Sequence, residues 1–158
     1  MTRMIDLSQP LYEGMPVYPG TPAPDFSTVA TVAANGYRVK KIAMNTHVGT
    51  HMDAPAHMLA EGMTLDALPL ERFMGRAAIV DVRACAGGAI GVGELQAQEE
   101  WLAQADFVLF WTGWSRYWGQ EQYLQQYPLL TAEAAAWLGK CRLKGVGIDA
   151  ISFDAIDS

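Results

Sequence analysis

Histidine is scarce in this chain. Only three occur, and none lies outside residues 47–57. Cysteine is scarcer still. Cys85 and Cys141 form no C-x-x-C pattern, so they read as buried or idle thiols rather than metal ligands. No stretch approaches the ~20 apolar residues of a membrane span, which excludes a membrane-embedded helical protein. No apolar run follows Arg3, so no signal peptide is expected and a cytoplasmic location is. Positive charge is in deficit: 11 Lys and Arg face 17 Asp and Glu, for a net charge of −6. Nothing in that balance draws the chain to nucleic acid. Gly87, Gly88, Gly91 and Gly93 lack both the G-x-G-x-x-G and the Walker spacing, so they are read as a surface connection rather than a phosphate loop. Internal repeats and low-complexity segments are also missing. What remains is 158 residues of which 51% are hydrophobic, enough for one domain, 1–158, with a real core.

The histidines lie in Thr46-His47-Val48-Gly49-Thr50-His51-Met52-Asp53-Ala54-Pro55-Ala56-His57. Imidazole and carboxylate together suit a divalent metal such as zinc, manganese or iron. A helix would pair His47 with His51 but turn Asp53 away, and Pro55 opposes it. A fully extended strand would hold His47 and His51 ~13 Å apart, too far for bonds of ~2 Å to one ion. A bend is required, and Gly49 is the residue able to supply it. The expected arrangement is a strand end that turns at Gly49 and gathers His47, His51 and Asp53, with His57 just beyond. A structural polar loop is the competing reading. Thr50 and Asn45 are expected to support the imidazoles rather than ligate.

HVGTHMDAPAH resembles the H-x-G-T-H-x-D-x-P-x-H signature of the cyclase family, which includes bacterial kynurenine formamidases and isatin hydrolases. Asp6-Leu7-Ser8, Gly14-Met15-Pro16-Val17-Tyr18-Pro19-Gly20 and Gly147-Ile148-Asp149 extend the resemblance from about Ile5 to Phe153. It implies a swivelling β/β/α fold of α/β class. It implies a metal-dependent hydrolase of amide or lactam bonds, with a small-molecule amide as substrate. His47, His51 and Asp53 would be metal ligands, zinc first and manganese second. His57 would be a further metal ligand or the catalytic proton-transfer group. Met58 stands where the family usually has an aromatic residue. Family chains carry later histidine and glutamate ligands, whereas no histidine follows His57 here. The domain is therefore expected to be C-terminally incomplete relative to the family. Apolar Ile151, Phe153 and Ile156 are expected to be exposed and to favour a partner chain, as in a homo-oligomer. Two other readings stay open: a non-catalytic metal-binding relative, and a non-haem iron oxidoreductase using two histidines and a carboxylate.

Elsewhere, Met4–Leu7 is a short strand candidate. Residues 10–24 hold five prolines and two glycines, and form either a pocket cap or a loop pinned on the core. Residues 25–33 and 37–45 read as strands joined at Asn35-Gly36, a hairpin turn signal. Residues 61–70 read as a loop, and residues 68–73 as a short helical turn. Residues 77–82 and 106–112 are apolar runs expected of strands covered on both faces. Residues 93–104 and 131–140 read as helices, the second capped by Thr131. Residues 143–148 form the last strand. A mixed sheet follows, parallel in the second half and antiparallel in the first. Trp111, Trp114, Tyr117 and Trp118 are either an aromatic substrate pocket or core.

Overall fold

Residues 3–156 are described in the computed structural model. Strands β1 (Asp25–Ala30) and β2 (Val39–Ala43) pair antiparallel, with Phe26 opposite Ile42. Their connection is not the two-residue turn that Asn35-Gly36 implies. Thr31 caps a single helical turn, α1 (Val32–Asn35), its hydroxyl accepting from the Ala34 N–H at 3.3 Å. Gly36 then closes that turn at φ 77°, a conformation glycine adopts without cost. The asparagine-glycine pair therefore ends a helix instead of making a hairpin turn.

Three parallel strands make the central sheet: β3 (Ala77–Asp81), β5 (Phe107–Trp111) and β7 (Gly145–Ile148), with β5 in the middle. Between them lie β4 (Ala89–Ile90), α2 (Val92–Gln96), α3 (Glu99–Leu102), β6 (Leu129–Leu130) and α4 (Ala132–Leu138). Strands β4 and β6 pair parallel as a separate two-stranded ribbon. The α/β class holds, with antiparallel and parallel pairing assigned to different sheets. The expected 93–104 helix divides at Ala97-Gln98 into α2 and α3, yet Leu95 and Leu102 are both buried, as their spacing requires. Thr131 caps α4 as expected, accepting from the Ala134 N–H at 3.1 Å.

All three of these helices cover one face of the sheet. Leu95, Leu102, Ala134 and Leu138 join Val80, Val108 and Phe110 in one buried cluster. Each fully buried leucine there contributes roughly 1.5–3 kcal/mol of transfer free energy. The other face corrects the expectation of two-sided cover. Ile79 on β3 is 61% exposed and Trp111 on β5 is 44% exposed. An apolar run alone cannot report that only one of its two faces is met by helices.

Two further expectations are overturned. Met4–Leu7 forms no strand, because no neighbouring strand pairs with it, and Met4, Ile5 and Leu7 are exposed. Ile151, Phe153 and Ile156 are not bare. Phe153 packs edge-on against Phe110, and Ile151 and Ile156 pack on the cluster of Trp114, Tyr123 and Tyr127. Residues 10–24 form a loop without regular structure, secured by buried Met15 and by the Tyr18 hydroxyl, which donates to the Ile156 carbonyl at 2.9 Å. No helix among the described residues is long and apolar enough to cross a membrane.

Candidate metal centre

Strand β2 ends at Ala43 and delivers the chain into the histidine segment. The bend falls at Gly49, with φ 73°. Val48, buried at 5% exposure, holds the segment to the body of the protein, and Thr50 Oγ1 accepts from the Gln9 N–H at 2.9 Å. The polar side chains flanking these fixed points, His47, His51 and Asp53, are exposed.

The convergence is close. His47 Nδ1 lies 2.8 Å from Asp53 Oδ1 and 2.8 Å from His51 Nε2, and His51 Nε2 lies 3.4 Å from Asp53 Oδ1. One ligand atom from each residue falls within 4.8 Å of the others. The Gly49 carbonyl, 2.7 Å from His51 Nδ1, explains the orientation. A carbonyl only accepts, so Nδ1 carries the proton and donates it. In the neutral ring, Nε2 is left with its lone pair facing His47 and Asp53. A backbone acceptor on the far nitrogen is the usual support for a metal-binding imidazole. Bonds of ~2.0–2.1 Å in tetrahedral array place ligand atoms ~3.3 Å apart. The observed 2.8–3.4 Å separations need only a few tenths of an ångström of widening. Two nitrogens and a carboxylate oxygen fit a divalent ion in both chemistry and spacing.

His57 stands apart from these three. It ends the 3-10 turn Pro55–His57 and stacks on His47, ring centroids 4.4 Å apart at 18°. It thus lies beside the convergent group without contributing an atom to it.

A cavity of about 310 Å³ adjoins the group, with Asp53 and His57 in its wall. Met52, Pro55, Leu59, Leu68 and Phe73 make it largely apolar, and Arg72 and Lys144 add two cations. The sequence reading identified the 68–73 turn but not its part in this wall, since an exposed arginine in a short turn carries no periodic signal. The tryptophan cluster does not line the cavity. Trp114 is core, Tyr117 and Trp118 pack on it, and Trp111 lies outside under Arg83, whose guanidinium carbon is 3.8 Å from the ring centroid.

Beyond the centre, Asp149 organises the carboxyl ends of β5 and β7. Its Oδ1 accepts from the Thr112 N–H at 2.7 Å and from the Thr112 hydroxyl at 2.5 Å, and Oδ2 accepts from the Ser115 hydroxyl at 3.1 Å. Cys85 donates weakly to Glu94, and burial pushes its thiol above the ordinary range, so it is not a reactive thiolate.

A bent segment after β2 that carries two histidines and an aspartate beside a largely apolar cavity defines a class, and the family follows from the chain as a whole. The protein belongs to the cyclase family: the family profile described as "Putative cyclase" matches residues 5–155. Among its relatives, the kynurenine formamidase of Erythrobacter litoralis is 32% identical over 157 residues, covering 99% of this chain and 69% of the relative. The kynurenine formamidase of Geobacillus thermodenitrificans is 32% identical over 160 residues, covering 100% and 73%. Isatin hydrolase A from Ralstonia solanacearum superposes with a TM-score of 0.82 at 26% identity, over 97% of this chain and 68% of that one. A structure described as a potential metal-dependent hydrolase with cyclase activity superposes at 0.76 with 30% identity, over 95% and 69%.

Proposed function

We propose that this protein is a metal-dependent amidohydrolase that cleaves the C–N bond of an aryl formamide or a cyclic aryl amide. The observation that carries the reading is the convergence of His47, His51 and Asp53 on one point beside a cavity. The names of the relatives, kynurenine formamidase and isatin hydrolase, support the substrate class. His47, His51 and Asp53 would hold one divalent ion, with zinc the first choice and manganese the second. When bound, such an ion supplies Lewis-acid polarisation of a carbonyl and acidifies water from a pKa of ~16 to ~7.

The chain's own residues do the rest. The Gly49 carbonyl fixes the His51 ring, so the nitrogen lone pair stays aimed. Met52, Leu59, Leu68 and Phe73 offer the aryl group apolar contact. His57, in the same wall, accepts the proton of the attacking water. The water oxygen bonds the carbonyl carbon, the C–N bond breaks, and the nitrogen leaves with the proton that His57 returns. For a formamide the products are formate and an aryl amine.

The test is metal content by mass spectrometry on protein purified without chelator, together with turnover of N-formylkynurenine and isatin. About one ion per chain, lost in His51→Ala together with turnover, is expected. Equal metal content in the two proteins would refute the centre. Oxygen uptake with bound iron, and no hydrolysis, would refute the reaction class.

A further inference from the structure

The cavity beside the histidines holds two cations in its wall, and they differ. Lys144 is already matched. Its Nζ lies 3.1 Å from Asp106 Oδ1 and donates to the Met74 carbonyl at 2.8 Å. Arg72 is not. Its only hydrogen bond among the described residues is a long one, 3.5 Å from Nη2 to the Lys144 carbonyl, and it takes part in none of the ion pairs. Arg72 is exposed and shares the cavity wall with Asp53 and His57. The one carboxylate lining that cavity, Asp53, is committed to His47 and His51. An arginine with no ion-pair partner among the described residues, on the wall of a cavity otherwise lined mostly by apolar side chains and on a chain of net charge −6, is a local feature rather than part of a general positive field. Its planar fork fits a carboxylate in a bidentate pair, the strong form of such a bond.

We propose that Arg72 is the specificity-determining residue of this site and that it selects amides carrying a carboxylate. This rests on the amidohydrolase reading above. The aryl ring would lie among Leu59, Leu68 and Phe73, with its carboxylate on Arg72 and its amide toward His57. Arg72 takes no part in bond making. It is a positioning residue whose contribution appears only when the substrate is charged.

Two substrates with the same scissile bond separate the roles: 2-formamidobenzoate, which is anionic, and formanilide, which is neutral. Arg72→Gln is expected to lower kcat/KM for the anion roughly 10- to 100-fold while leaving the neutral amide within about twofold. Arg72→Lys, which keeps the charge and loses the fork, should fall between. A second arm needs no turnover. Binding of the fluorescent product 2-aminobenzoate should weaken by the same factor in Arg72→Gln, and binding of aniline should not change. Equal losses on both substrates, or unchanged 2-aminobenzoate binding, overturn the proposal. If the wild type hydrolyses neither amide, the amidohydrolase reading fails, and the binding arm alone decides the role of Arg72.

Discussion

Gly49→Ala tests whether backbone geometry assembles the candidate metal centre, because it removes none of His47, His51 and Asp53. At φ 73° an alanine sits in the left-handed region, where an L-residue costs roughly 1–2 kcal/mol. Its added Cβ would also meet Leu11 Cδ2 at 2.6 Å. That contact is the lesser cost, because it is the far end of a flexible side chain that is 46% exposed and free to swing away. The strain is therefore mainly in the backbone. The histidine segment is exposed and outside any strand ladder, so the metal-free protein relaxes it by opening the bend. Metal binding must then restore the bend. At 1.4 kcal/mol per tenfold, zinc affinity should fall about 5- to 30-fold. The assay is competition with a chelator of known affinity, run beside urea denaturation of the metal-free protein. Asparagine tolerates the left-handed region better than alanine, so Gly49→Asn should lose less. Adding Leu11→Ala to Gly49→Ala should recover only the smaller, steric part. Wild-type zinc affinity and wild-type stability together in Gly49→Ala would refute the claim that this bend gathers the ligands.

Two other outcomes follow from features away from the centre. Asp149→Ala strips three acceptor contacts from Thr112 and Ser115 and should cost about 2–4 kcal/mol in urea unfolding, since Thr112 is 1% exposed and cannot turn to water; an unchanged midpoint would show that the contacts contribute nothing. Burial, with a smaller effect from the Asp149 charge, pushes the Tyr123 phenol up to about 12. The fold therefore favours the neutral ring, and that contribution is complete below pH ~10 and lost as pH rises from ~10 toward about 12. Tyr123→Phe should unfold with a shallower alkaline slope than wild type, measured as urea midpoints from pH 9 to 11; parallel slopes would rule out Tyr123 as the source.

The parts of this protein legible in its sequence are those set by short-range chemistry. Thr131 announces the start of α4, because a hydroxyl before a helical run has one dominant use. Gly49 announces a bend, because two histidines four residues apart in a strand cannot reach one another without it. Where the outcome depended on what lies across space, the residues were silent. Ile79 and Val80 read alike in a line of sequence, yet one faces α2 and α4 and the other faces water. Met4–Leu7 has strand composition and no strand to join. Trp111, Trp114, Tyr117 and Trp118 are crowded in sequence, but three of them enter the core and one leaves it. Arg72 illustrates the same limit at the candidate site. Its proposed role rests on the lack of an ion-pair partner among the described residues, and no local pattern records that.

His47, His51 and Asp53 lie within one run of seven residues, and this has a thermodynamic consequence for any cation they hold. Closing so short a loop costs little chain entropy and takes well under a microsecond. These three side chains therefore need no long-range contact to meet, and an ion they held could be captured before β5 and β7 pair. The same locality lets the denatured chain chelate. A cation that binds both states stabilises the native one only by the difference in affinity. An ion at this site should thus raise the melting temperature of this protein by less than its native-state affinity implies.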